Sequence, residues 1–432
     1  MKVLLLLYLL AVAPFSPRAA ASGFEINSLS LSGQMSWSNA FFRGICTIQT
    51  ASQPDGPWAS LKNYFTTNSL GRAQLSISGN NTFFRLLAVD VSTNNPQGYT
   101  NLLNAYGFLH TIAGNGFGGV DGVNYWQPSF EGDFATNATL SRPHFAMADD
   151  AGDVFVVDKD SHSVLKISTD GRIHTVAGTH AVGNGSDSPA PGTTVALSSP
   201  NGLWVRSDGR LYVLDTGNGK IRRLDTNGSM LTLFAVTGGI TGGRGLWVKD
   251  DESLAYFADG GSLKKWSPLS GVKTLNSNFT DLGNFIVQPD GDIIATDRGE
   301  NKVYLVDATG GNAGSRTKIA GDGSTNIVVE GTLAKANGLY GVRGVWPVPT
   351  GGYLLATHEG SQILFMDAAG IIRIFVNGTS GNAHGGDGQW FHMPGNKVSE
   401  VRSVTMDSQG NVLITENDFG YIRQIDFARL TP

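Results

Sequence analysis

Gly202-Leu-Trp-Val-Arg-Ser-Asp-Gly209-Arg-Leu-Tyr-Val-Leu-Asp215, followed by Gly219-Lys-Ile-Arg-Arg-Leu224, decides the fold. Two short apolar strands flank an Asp-Gly turn, the second strand ends in an acid, and a third strand follows a polar turn. The pattern recurs upstream as Phe145-Ala-Met-Ala-Asp-Asp-Ala-Gly152-Asp-Val-Phe-Val-Val-Asp158 and then Ser163-Val-Leu-Lys-Ile167. Downstream, the second strand of each repeat ends at Asp259, Asp297, His358 and Glu416. The apolar spacing is two rather than 3.6, which excludes a helical solenoid. Four strands need roughly 40 residues, so the excess between these marks belongs to loops.

Composition agrees. Of 432 residues, 41% are apolar, enough for a large core, and 57 are glycine, placed at turns rather than in a flexible tract. Only 16% are charged and the net charge is −5, which excludes a nucleic-acid binder by composition.

The chain starts with the marks of an export signal. Lys2 precedes the apolar run Val3–Val12, and Arg18-Ala-Ala-Ala-Ser22 offers small residues for cleavage, so residues 1–21 are expected to be a signal peptide. The run is shorter than the ~20 residues that span a bilayer, and no later segment approaches that length. Export would permit disulfides, yet Cys46 stands alone in a strand-like run and reads as a buried thiol. Asn80, Asn137, Asn227 and Asn377 lie in Asn-x-Ser/Thr sequons.

Residues 22–92 read as a small β-sandwich-like domain, with strands near Gln34–Trp37, Cys46–Thr50, Gln74–Ser78 and Phe83–Val89. Residues 93–107 follow as a polar linker. Residues 108–432 hold the repeats. Five repeats have their own fourth strand, at 173–177, 231–235, 272–275, 317–320 and 372–376, and the sixth lacks one. The spare strand Leu109–Ala113 is expected to serve as its outer strand and close the ring.

The segments between repeats resemble the NHL family. His110-Thr-Ile-Ala-Gly114 leads to Leu140-Ser-Arg-Pro143, and His174-Thr-Val-Ala-Gly178 to Leu197-Ser-Ser-Pro200. The motif decays to Thr317-Lys-Ile-Ala-Gly321 and Ile372-Arg-Ile-Phe-Val376 later. The resemblance covers about residues 108–428 and implies an all-β fold, a six-bladed β-propeller behind the small β-sandwich-like domain. It also implies that the acids closing each second strand mostly cap the turn that follows.

In such a ring the innermost strands would present His144, Asn201, Arg244, Asn284, Arg343 and Arg402 to the axis. Three guanidiniums and no carboxylate make a poor cage for calcium. They suit a carboxylate, sulfate or phosphate, because Arg offers paired donors in a fixed fork. The other reading has each Arg pair with a blade acid such as Asp259, Asp297 or Glu416 and fill the channel. The long inserts 115–139, 179–196, 322–341 and 377–399 open on the same face. There Trp126, His358, Glu416 and Trp390 form a candidate rim, and the insert aromatics suit sugar or peptide contacts or local core.

Related six-bladed proteins include lyases with a zinc held by histidines and lactonases with an axial divalent metal. A zinc site needs about three convergent His or Cys ligands, whereas the eight histidines here are scattered. The expected function is therefore an exported binding module, secreted, periplasmic or on the cell surface. It would recognise a polar or anionic polymer, a polysaccharide or a protein partner, with no cofactor, no nucleic acid and no membrane span. The alternative is a metal-dependent lyase or lactonase-like hydrolase using His144 and His358 with calcium or zinc at an axial site. A structural envelope protein is the third reading.

Overall fold

A computed structural model describes residues 24–77, 82–376 and 384–428. The expected signal peptide and the sequons at Asn80 and Asn377 lie outside the described residues. The described chain is nearly all-β, and no described helix is long and apolar enough to cross a membrane. It divides into two compact units.

The first unit takes in the described residues up to Phe108, together with 348–352 and 426–428. One sheet joins Glu25–Leu29, Gln34–Ser38 and Gly71–Gln74; the other joins Ala59–Thr66, Gly44–Ala51 and Phe83–Asp90. Both contribute to one core around Met35, Trp37, Cys46, Ile48, Phe84 and Leu86. The Cys46 thiol is buried there, and burial pushes its pKa up to about 12. The expected strand Gln74–Ser78 ends at Gln74. The expected linker 93–107 is a packed segment instead: it holds a helix, Gly98–Leu103, whose Leu102 and Leu103 are buried. Asn63 Nδ2 donates to the Ala105 carbonyl at 2.7 Å and fixes the end of this segment.

The second unit, 109–347 with 353–425, holds six antiparallel sheets of four or five strands, one after another in sequence. Their innermost strands are Pro143–Ala148, Gly202–Val205, Leu246–Val248, Leu282–Val287, Val342–Pro347 and Val401–Met406. Each touches the next, and the last touches the first. Thr405 Oγ1 in the sixth sheet donates to the Ala146 carbonyl of the first at 2.8 Å. Phe108–Ala113 pairs with Tyr421–Ile425 and gives the sixth sheet its fourth strand. This arrangement is propeller-like.

The repeat is visible in the hydrogen bonding. In all six sheets the register between third and fourth strands slips at one place: 164/165, 221/222, 263/264, 303/304, 363/364 and 422/423. Such bulges sharpen the local twist. The terminal glycine of the Ala-Gly motif has a steric cause. Gly114, Gly178 and Gly321 have φ of 96°, 94° and 85°. A Cβ there would stand 2.0–2.3 Å from the carbonyl oxygen of Gly420, His162 or Asn301.

Apolar clusters join neighbouring sheets face to face. One holds Phe145, Val157, Leu203 and Val213 of the first and second sheets, and another holds Leu413 and Ile422 of the sixth with Ala146 and Val156 of the first. Each such side chain contributes roughly 1.5–3 kcal/mol when removed from water. The long inserts add two-residue outer strands, Ala190–Pro191, Thr332–Leu333 and Gln389–Trp390, to the second, fifth and sixth sheets.

The second and sixth sheets also share a buried ionic knot. Arg222 and Asp215 are both fully buried and 3.0 Å apart, and the guanidinium also donates to the Ser186 carbonyl and to Thr232. Arg423 meets Glu416 in the same way at 2.8 Å and reaches Asp387 at 2.7 Å. Arg222→Ala would strand a buried carboxylate. It is expected to lower the unfolding free energy by about 3–5 kcal/mol, read from urea denaturation; a loss under about 1 kcal/mol would show the knot to be idle.

Candidate functional site

The acids that end the second strands position the site. Asp158 accepts from the Ser141 and Arg142 N–H groups at 2.9 and 2.5 Å. Asp215 accepts from Ser198 at 2.8 Å, Asp259 from Thr241 at 2.7 Å, Asp297 from Thr280 and Asp281 at 2.9 and 3.1 Å, and Glu416 from Ser399 at 3.0 Å. Each acid thus holds the segment that enters the innermost strand of its own sheet. This corrects the expectation that these acids mostly cap the turn that follows, although Asp297 also accepts from the nearby Glu300 N–H.

The residue expected at the axis stands three positions beyond a pinned N–H in four sheets, Ser141 to His144, Ser198 to Asn201, Thr241 to Arg244 and Ser399 to Arg402; in the fourth sheet that place, three beyond Thr280, is held by Gly283, and Asn284 is the next residue. In the fifth sheet the second strand ends at Thr357, which holds the place of the acids; this corrects the expectation of His358 there, since His358 is the residue after it, as Lys159, Arg298 and Asn417 are in their sheets. There Asn301 of the fourth sheet accepts from the Gly341 N–H at 2.7 Å, two residues before Arg343.

His144, Asn201, Asn284, Arg343 and Arg402 are buried, Arg343 to 1% exposure; Arg244 keeps 17% of its side chain exposed. His144 Nδ1 meets Asn201 Oδ1. Burial first, then the charges of Arg402 and Arg244, pushes the His144 pKa well below the usual imidazole range. Burial and Arg244 push Arg402 down to about 9. Burial, Arg244 and Arg402 push Arg343 well below its ordinary range. A guanidinium stays protonated in proteins, so this cost is carried by the unliganded fold.

A girdle of charges that the sequence reading missed surrounds these groups. Arg244 lies 3.4 Å from Asp281, Asp281 lies 3.1 Å from Arg298, and Arg298 pairs with Glu359. The His358 ring sits between Glu359 and Glu400, at 3.2 and 3.1 Å, without hydrogen-bond alignment to either. Glu400 continues to Arg402 at 3.4 Å and to Asn417 Nδ2 at 3.1 Å. Asn417 Oδ1 accepts from Arg142 Nε at 3.3 Å, and Arg142 pairs with Asp121. Arg298 and Asn417 each follow the residue that ends a second strand, and Arg142 and Glu400 stand two before His144 and Arg402; Glu359, two beyond Thr357, has neither offset. Those two offsets are the signal that would have found the first four.

Arg343 is the exception. Among the described residues it has no carboxylate within ion-pair distance, and its Nε and Nη1 have no partner. Arg244 Nε, Arg402 Nε, Asn284 Nδ2 and His144 Nε2 are also buried without partners. Buried polar groups are nearly always satisfied. These unpartnered atoms stand in or beside the innermost strands of five sheets.

The acids named as alternative partners for the ring go elsewhere: Asp259 to Lys264, Asp297 to Arg316 and Glu416 to Arg423. Two rim expectations are corrected. Glu416 is fully buried in its knot. Trp390 lies in the outermost strand of the sixth sheet, four strands from the one carrying Arg402, about 19 Å at ~4.8 Å per strand. Trp126 stacks flat on His180 at 4.4 Å and packs with Phe130 in the cluster joining the sixth and first sheets, so it acts as local core. His358 does reach the axial group. Cationic donors do not suit a divalent metal. Among the described residues no group of three or more His, Cys, Asp or Glu side chains is placed to hold one.

The chain is thus a propeller-like protein with buried basic side chains at the entries to innermost strands. No protein-family model matches it, and no curated protein matches it. It is similar to an auxiliary nutrient binding protein from Bacteroides ovatus, at 11% identity and TM-score 0.56, covering 96% of this chain and 99% of that one. A protein of the same description from Bacteroides thetaiotaomicron aligns at 12% identity and TM-score 0.55, over 94% and 98%. A Bacteroides thetaiotaomicron protein of unknown function aligns at 13% identity and TM-score 0.58, over 96% and 99%. At these identities the likeness shows the fold alone.

Two measurements check the electrostatics. Arg343→Met removes a buried cation that nothing compensates. It is expected to stabilise the ligand-free protein by about 1–3 kcal/mol, seen as a higher Tm; destabilisation would reveal a partner.

Asp418 accepts from Ser399 Oγ at 2.8 Å, and burial, then its hydrogen bond to Glu400, pushes its carboxyl up to about 7. Below the usual carboxyl pKa both states are neutral. Between pH 4 and 7 the unfolded chain ionises while the folded one does not. The stability of wild type relative to Asp418→Asn should therefore fall across that window in urea titrations, and a constant difference would refute the assignment.

Proposed function

We propose that the chain is an exported, six-bladed β-propeller of NHL type that binds an anionic group through its axial centre. Residues 1–21 would be the signal peptide, and the first unit a β-sandwich-like module. The six sheets would be the blades, and Arg244, Arg343 and Arg402 the anchors, with Asn284 and the His144–Asn201 pair completing the lining. The partner would be an acidic polysaccharide or an acidic protein segment presented to the loop-rich face.

The observation that carries this reading is Arg343, buried, lacking a carboxylate partner and presenting two unpartnered donors. A fork of parallel N–H groups matches a carboxylate, sulfate or phosphate edge. The partly exposed groups above it, among them Arg244 at 17% and Arg298 at 35% exposure, offer an approach by way of charged residues. Within a water-poor centre such charge pairing is screened less than at the surface.

The test is isothermal titration of the full chain with polygalacturonate, and with dextran as the neutral polymer. Wild type is expected to bind only the former, and the Arg244→Ala, Arg343→Ala, Arg402→Ala triple variant to lose at least a hundredfold in affinity while keeping the wild-type circular dichroism. Unchanged binding by the folded triple variant would remove the anchor assignment.

A further inference from the structure

The unpartnered atoms of the axial centre are of two kinds, and the difference specifies the ligand more closely. This rests on the anion-binding reading above. Arg343 Nε and Nη1, Arg244 Nε, Arg402 Nε and Asn284 Nδ2 are donors. His144 Nε2 is different. Its ring partner is Asn201, whose Oδ1 faces His144 Nδ1. A carbonyl oxygen accepts, so the ring proton belongs on Nδ1. The ring is fully buried and feels the charges of Arg402 and Arg244, which keep it neutral. Neutral imidazole protonated at Nδ1 carries a bare lone pair on Nε2. That lone pair is buried and meets no donor from the chain.

A site with several cationic donors and the bare His144 Nε2, with Glu359 Oε2 of the girdle a second unpartnered acceptor, asks for a ligand with both an anionic edge and a hydrogen to give. Sulfate offers no such hydrogen, and a simple carboxylate offers none once ionised. We infer that the axial centre selects a carboxylate with a free hydroxyl close by, as α-hydroxy acids carry on the α carbon and free or chain-terminal uronic acids on C4, with the carboxylate on Arg343 Nε and Nη1 and the hydroxyl donating to His144 Nε2. The charge count agrees. Arg244 is paired with Asp281 and Arg402 with Glu400, which leaves Arg343 as the ring cation without a carboxylate. One negative charge on the ligand balances it. Arg244 and Arg402 act on both Arg343 and His144, so the two recognition elements share one electrostatic centre.

The test is titration of the full chain at pH 7 with glycolate, D-glucuronate, acetate and sulfate as separate probes. Glycolate or D-glucuronate should bind about tenfold or more tighter than acetate, because acetate leaves the buried Nε2 unpaired, and sulfate should bind more weakly than either. The arm that wins tells a free hydroxy acid from a sugar acid. His144→Phe should erase the margin over acetate while acetate binding persists. Should that variant not fold, the wild-type ratio still decides.

Equal binding of glycolate, D-glucuronate and acetate, or tightest binding of sulfate, would overturn the hydroxyl selection and leave the anion site standing. Failure of all four probes to bind would overturn the selection together with the small-anion site beneath it.

Discussion

One hydrogen-bonding device places the functional centre. An acid at the end of a second strand takes N–H groups from the chain as it turns into the innermost strand of the same sheet, as Asp158 does with Ser141 and Arg142. Those N–H groups would otherwise be left unsatisfied, at a cost of about 1–3 kcal/mol each. The acid therefore fixes both the height and the rotation of the entering chain. Three residues further on, the side chain has one direction available to it. Repeated in five of the six sheets, with Asn301 taking its part in the fifth, the device fixes how the chain enters each innermost strand. Sites built on such strands are stiffer than sites built on loops.

The contrast among the arginines shows what is scaffold and what is site. Arg222 and Arg423 are as buried as Arg343, yet each is met by a carboxylate and by backbone carbonyls. Burying a charge is tolerable when it is paired and hydrogen-bonded in this way. Arg343 lacks that shell, and its neighbours Arg244 and Arg402 add repulsion. The fold must offset this cost elsewhere. The clusters between sheets, built from Val, Leu, Ile and Ala, have the capacity to do so.

The repeats were legible because two physical rules coincide: strands alternate every second residue, and the terminal acid of each second strand has a structural task that recurs. The same frame relates His144, Asn201, Arg244, Arg343 and Arg402, but in the fourth sheet it falls on Gly283 and not on the expected Asn284, because no apolar pattern fixes the count through that turn. The pairings of the girdle were not legible, although four of its residues stand at fixed offsets in the repeat, because its ion pairs join different repeats, as Arg298 of the fourth does with Glu359 of the fifth, and no periodicity reports a contact between repeats. The outer strands at Ala190, Thr332 and Gln389 are two residues long and carry no pattern to read. That is why Trp390 was expected at the rim rather than at the outer edge of its sheet. Helix Gly98–Leu103 has neither a side-chain cap nor a charge bias at its ends. Its polar surroundings look like linker, and the packing of Leu102 and Leu103 decides the matter.

The departures from the repeat fall together. In the fifth sheet Thr357 stands where the other five have an acid, and the ring of His358, the next residue, faces Glu359 and Glu400. Asn301 of the neighbouring sheet takes over the pinning, at Gly341 with φ of 66°. Glu400, two residues before Arg402, holds a φ of 41°, a conformation that disfavours any side chain. A purely architectural ring would gain by keeping the acid in the fifth sheet and a glycine at position 400. Instead Thr357 leaves the pinning to Asn301, Glu400 keeps the positive φ that Ser199 also holds two residues before Asn201 and sets its carboxylate 3.4 Å from Arg402, and Arg343 remains without a partner. Local rules are broken where a fold gives up stability for chemistry, and here the breaks converge on the one guanidinium of the ring that no carboxylate answers.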